Sequence, residues 1–167
     1  MEWGCIKCGK EIPQYAEFCP ECEEKQFRKI GGFLYLPLLG LIITAISYLF
    51  AMTQAFKVLV ESYWHIIPEA KIFFISSLFT YLAMFMFTIF TLSLFLRKKK
   101  SLPKVYMLFL ILIIVTMSVN TYLLYRLIPG ITIGYNELVP IFRNLITALI
   151  WVPYFRVSVR VKKTFVH

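Results

Sequence analysis

Four cysteines open the chain: Cys5-Ile6-Lys7-Cys8-Gly9 and, after a spacer of ten residues, Cys19-Pro20-Glu21-Cys22. Two CxxC pairs bring four thiolates around one ion. Each pair can close a tight turn whose backbone N–H groups point at sulfur, and a soft tetrahedral thiolate set suits Zn²⁺. Gly9 allows the positive φ that such a turn often needs, whereas Glu23 stands in the equivalent place after Cys22, so the second turn departs from the glycine pattern. A thioredoxin-like redox site needs a single CxxC on a βαβ background, and no such background is visible. An iron tetrathiolate uses the same ligands but usually sits in a larger, aromatic-cored domain. Zinc is the preferred reading, with iron and redox chemistry as the alternatives. A shell filled by Cys5, Cys8, Cys19 and Cys22 leaves no position for water, so the expected cofactor is one structural zinc per chain and not a catalytic one. The segment 1–28 is too short to bury a core, and the metal must supply most of its folding energy. Trp3, Tyr15 and Phe18 are read as the minimal core of this ribbon, with a docking face as the second reading.

Elsewhere the polar residues are sparse. Glu61, His65 and Glu69 recur at i, i+4 and i+8, which on one helix would align three metal or proton ligands, but Pro68 interrupts that helix and an exposed polar loop is expected. Arg143 stands inside an apolar run, where charge is costly. It is expected to snorkel to the outer interface or to pair with Glu61, Glu69 or Glu137. Asn120, Asn144, Gln54 and Thr44 are expected to bond between helices. No GxSxG, HExxH, Walker loop or spaced acidic pair occurs, so hydrolase and ATPase chemistry have no support.

The elements that must position these groups are set by composition. The chain of 167 residues is 59% hydrophobic and 16% charged, with a mean hydropathy of +0.73 and no Asp. Six of its nine Glu precede residue 25. The apolar residues collect in runs of about 20, the length that crosses a bilayer as helix. Four spans are predicted, at about 33–56, 72–96, 104–126 and 138–155, giving an all-α integral membrane fold: a four-helix transmembrane bundle over 30–166 behind a small N-terminal ribbon. The fourth span carries Pro140, Arg143, Asn144 and Pro153; Pro140 is placed in its first turn, where proline is tolerated. The polar, cysteine-bearing first 30 residues do not fit a cleavable signal peptide, so the first apolar run is expected to target the chain.

Lys and Arg fix the orientation. Fourteen of the 18 lie on one side: Lys7, Lys10, Lys25, Arg28 and Lys29, then Arg97 to Lys100 with Lys104, then Arg156, Arg160, Lys162 and Lys163. Basic short loops stay inside, so both termini are expected in the cytoplasm, on the inner membrane of the cell, with an even number of crossings. That compartment is reducing, which independently favours metal over disulfides. Tyr63, Trp64, Tyr122 and Tyr125 are assigned to the outer interface and Trp151 and Tyr154 to the inner one, as anchors. The net charge of +9 borders the spans and serves chiefly as a topology signal; its expected partner is the lipid bilayer with anionic head groups. Up to residue 25 the ribbon holds three Lys and six Glu, and Zn²⁺ on four thiolates adds −2, so nucleic acid is disfavoured and a cytoplasmic protein partner is expected.

Gly31-Gly32-Phe33-Leu34-Tyr35-Leu36-Pro37, the stretch from Arg143-Asn144-Leu145 to Trp151-Val152-Pro153-Tyr154-Phe155, and Ser158 to Phe165 resemble the prokaryotic four-helix membrane family called domain of unknown function 2569. The likeness covers about 30–166, and the front resembles zinc-ribbon modules written CxxCG then CPxC. It implies the four-span topology and no reaction, and it points to Arg143, Trp151, Pro153, Tyr154, Ser158 and Arg160 as positions to test. The combined reading is a membrane-anchored ribbon that acts as an interaction or assembly module, with homo-oligomerisation allowed. A small transporter or channel component using Arg143 is the second reading and a membrane enzyme the last.

Overall fold

The computed structural model describes residues 4–27, 32–61, 63–65, 67–128, 130 and 134–165, with the side chains of 23, 24, 26 and 27 outside the description. Among the described residues six α-helices follow one another: α1 Pro20–Phe27, α2 Tyr35–Glu61 behind a 3-10 turn at Gly32–Leu34, α3 Pro68–Leu96, α4 Leu102–Leu127, α5 Tyr135–Val157 and α6 Val159–Thr164. The four long ones are apolar enough to cross a bilayer. They run up and down in chain order, α2 against α3, α3 against α4 and α4 against α5. One end of the bundle therefore carries the ribbon and α6; the far end carries the α2–α3 and α4–α5 turns.

The helices outrun the predicted spans because helix formation does not stop at the lipid boundary. The 27 residues of α2 reach about 40 Å, against about 30 Å of hydrocarbon, and its last turn is tied by a Lys57–Glu61 pair at 3.8 Å. Pro68 does not sit within a continuing helix; it begins α3. Ile67 before it is extended (ψ 149°), and its carbonyl accepts from the N–H groups of Ala70 and Lys71. Pro140 is likewise displaced from its expected place. Because α5 begins at Tyr135, Pro140 lies beyond the first turn, and both it and Pro153 stand inside the helix.

Several threonine and serine hydroxyls are satisfied within their own helices, as lipid favours. Thr88 and Thr91, both fully buried on α3, donate back to the carbonyls of Met84 and Phe87 at 2.7 and 2.8 Å. Thr44 does the same to Gly40 on an exposed face of α2, so the interhelical bond expected of it is corrected to a local one. Gln54 is exposed. Ser77 and Asn120 do link helices: Ser77 Oγ donates to Asn120 Oδ1 at 2.7 Å across α3 and α4. Asn144 Nδ2 reaches Met117 Sδ on α4 at 3.3 Å and the Pro140 carbonyl at 2.8 Å. Asn120→Ala is expected to cost about 0.6 kcal/mol, and at most about 1.7, in unfolding measured in mixed micelles.

α3 ends in a Schellman motif. The N–H of Lys98 meets the Phe95 carbonyl and that of Lys99 the Leu94 carbonyl, each at 3.2 Å, with Lys98 at φ 51°. A lysine pays for this left-handed position, so Lys98→Gly is expected to raise stability by about 1 kcal/mol in the same assay.

The tightest packing lies at the ribbon end. Leu34, Phe95, Leu102 and Val161 are all fully buried, and Phe155 and Phe165 nearly so. Phe95 meets Phe165 edge-on at 5.3 Å, and Phe155 stacks on Tyr106 at 4.7 Å. α6 supplies Val161 to this cluster, and Phe165, just past its end, joins it. Ser158 starts α6, its Oγ accepting from the Val161 N–H at 3.4 Å.

Candidate metal centre and membrane polar groups

The first knuckle is built by backbone bonds. Gly9 donates to the Cys5 carbonyl at 2.9 Å and Cys5 donates to the Lys10 carbonyl at 2.8 Å, with Gly9 at φ 72°. Gly4 and Glu11 flank it as an antiparallel bridge. The second knuckle has no glycine because it needs none. Cys19 precedes α1, Pro20 opens the helix, and Cys22 sits in its first turn, so the residue after Cys22 is helical rather than left-handed. Lys10 and Glu21 join the knuckles at 3.0 Å; each raises or lowers the other's proton affinity in the expected sense, but the pair is exposed and adds little.

These turns bring Cys5, Cys8, Cys19 and Cys22 together with all four Sγ atoms within 4.8 Å of one another. Cys8 and Cys19 Sγ are 3.4 Å apart, and the Cys19 N–H donates to Cys5 Sγ at 3.2 Å. A tetrahedral ion with metal–sulfur bonds of about 2.3 Å needs sulfurs about 3.8 Å apart, so the four cysteines fit a tetrathiolate metal with small adjustment. Cys5 and Cys19 are buried, Cys22 half-buried and Cys8 exposed.

The Cys19 N–H lowers the Cys5 thiol to about 6, whereas sharing protons with Cys19 and Cys8 pushes Cys22 up to about 12. A thiolate forms readily at Cys5, whereas ionisation of Cys8 and Cys22 is opposed. A dication reverses that opposition and displaces protons, so metal retention is expected to weaken as pH falls.

Of the aromatic residues assigned to the ribbon's core, Trp3 lies outside the described residues and Phe18 is half-buried. Tyr15 is 91% exposed and is not core. Ile6 also points outward.

The membrane polar residues are dispersed. Glu61 ends α2, His65 stands in the intervening turn and Glu69 lies in the first turn of α3, all exposed, so no single helix face aligns them. In that turn Lys71 Nζ lies 4.3 Å over the Tyr63 ring, which meets Trp64 edge-on. Arg143 is on the exposed face of α5 with Tyr135, Val139, Phe142 and Ile146. Among the described residues no ion pair joins it to Glu61, Glu69 or Glu137. Glu137 instead turns back on its own helix, Oε2 accepting from the Gly134 N–H at 2.9 Å. Trp151 and Tyr154 pack edge-on at 5.3 Å and line the core rather than standing free. Arg160 places Nη1 3.0 Å from where a side chain on Gly32 would begin, and its Nε is buried without a hydrogen-bond partner. Sequence reading missed a cavity lined from all four long helices, whose residues carry no shared motif.

Fold and site together define a multi-pass membrane protein with a four-cysteine ribbon at its head, able to hold a metal ion. The chain belongs to the family described as Protein of unknown function (DUF2569), which it matches over residues 27–166. The four cysteines precede the matched stretch. No curated protein and no solved structure matches the chain.

Proposed function

We propose that this protein is a membrane-anchored interaction module: a ribbon held by one structural Zn²⁺, displayed on the cytoplasmic face of the cell's inner membrane by a four-helix anchor. The observation that carries this reading is the convergence of four thiols at the head of a bundle whose tail helix α6 touches α1. Sulfur-only ligation favours zinc, and a filled shell assigns the metal to folding rather than catalysis. The basic bias at the ribbon end supports a cytoplasmic location. An acidic ribbon with Ile6 and Tyr15 outward favours a protein partner over nucleic acid. Transport through Arg143 lacks its expected geometry, since Arg143 faces away from the four-helix cavity.

The orientation is tested by labelling intact cells with a membrane-impermeant maleimide. Trp64→Cys should react from outside and Lys162→Cys only after permeabilisation; the reverse pattern overturns the topology. The interaction is tested with a photocrosslinking residue at Tyr15. Discrete protein adducts that disappear with Ile6→Glu are expected, and adducts to lipid alone would contradict the reading.

A further inference from the structure

The cavity missed in the sequence lies between the middle of the bundle and its far end and has a volume of about 250 Å³. Tyr48 of α2, Thr80, Tyr81 and Met84 of α3, Thr116, Asn120 and Thr121 of α4 and Glu137 of α5 contribute to it. Three features decide what it can hold. Glu137 is the one charged side chain among the described lining residues, and no ion pair joins it to a cation among the described residues. Its Oε2 caps Gly134, yet a carboxylate accepts several hydrogen bonds, so capacity remains on the cavity side. Glu137 is half-buried beside apolar walls, where a carboxylate favours a positive ligand over a neutral one.

The rest of the lining offers acceptor hydroxyls and apolar walls. Thr80 and Thr116 turn their hydroxyls back to helix carbonyls, keeping the wall fixed. Asn120 is held by Ser77, which ties α3 to α4 beside the cavity. Tyr48 and Tyr81 stand with ring centroids 6.3 Å apart, and such rings accept a cation or an alkyl chain on their faces. The volume lies below the roughly 300–1,000 Å³ of drug-sized pockets, which restricts the occupant to a few heavy atoms.

We propose that this cavity binds a small amphipathic organic cation, with its ammonium group at Glu137 and its alkyl body between Tyr48, Tyr81 and Met84. The site includes none of the ribbon's residues and does not depend on the ribbon's function.

The test uses the full chain in lipid nanodiscs, titrated calorimetrically with n-butylammonium and, separately, with neutral n-butanol. Saturable one-to-one binding of butylammonium is expected, with butanol weaker by about tenfold or more, as befits one charge-assisted hydrogen bond. Glu137→Gln keeps an acceptor for the Gly134 N–H and should weaken butylammonium by about tenfold or more without changing butanol. Glu61→Gln, outside the cavity, should change neither. Thr121→Trp, which fills the cavity, should abolish both while far-UV circular dichroism retains the helices. Binding that does not saturate, that is equal for the amine and the alcohol, that survives both Glu137→Gln and Thr121→Trp, or that falls equally with Glu61→Gln would overturn the proposal.

Discussion

Replacing Cys5 by serine is expected to abolish tight zinc binding and unfold residues 4–27 while the four long helices persist. Cys5 is 3% exposed, its sulfur accepts the Cys19 N–H, and its backbone closes the first knuckle at both ends. Little else holds this segment, since Tyr15 and Ile6 face outward. Structural zinc in such small domains supplies about 10–16 kcal/mol of apparent binding energy, and that energy is the folding energy. Losing one of four ligands should weaken zinc at least about a hundredfold in competition with a chromophoric chelator. The helices draw their backbone bonds from themselves and their surroundings from lipid, so most helical dichroism should remain. Undiminished zinc affinity in Cys5→Ser would mean that the sulfur cluster is not the metal site.

Phe95→Ala is expected to cost about 3 kcal/mol, the low end of the range for a buried phenylalanine. Phe95 is 0% exposed where α3, α4 and α6 meet, and Phe165 rests against its ring. Hydrocarbon surrounds the helices in folded and unfolded states alike, so the loss comes mainly from the cavity and the missing contacts rather than from transfer out of water. Phe90 provides the control: it lies on the same helix but faces outward, and Phe90→Ala should cost less than about 1 kcal/mol. Unfolding in mixed micelles checks both. Equal costs would show that α6 does not seal this end.

What could be read from the residues follows the range of the physics. Apolar runs and CxxC pairs are local patterns, so four membrane helices and the Cys5, Cys8, Cys19 and Cys22 cluster were legible. The second knuckle was not, because the absent glycine after Cys22 is replaced by a helix that starts at Pro20. α6 was hidden for a similar reason. Its six residues read as a basic tail, and only the burial of Val161 and Phe165 against Leu34 and Phe95 gives the segment a seat. The cavity was the least legible feature, since it joins residues from Tyr48 to Glu137 that meet only when α2 to α5 pack. Glu137 and Arg143 looked like partners by sign, but six helical positions turn them about 120° apart.

The metal content of the full chain, purified without added metal and measured by elemental mass spectrometry, tests the central claim most directly. Close to one zinc per chain, with the four thiols unreactive until a chelator is added, is the result expected from a tetrathiolate head. Stoichiometric iron, or no metal beside four freely reactive thiols, would contradict it.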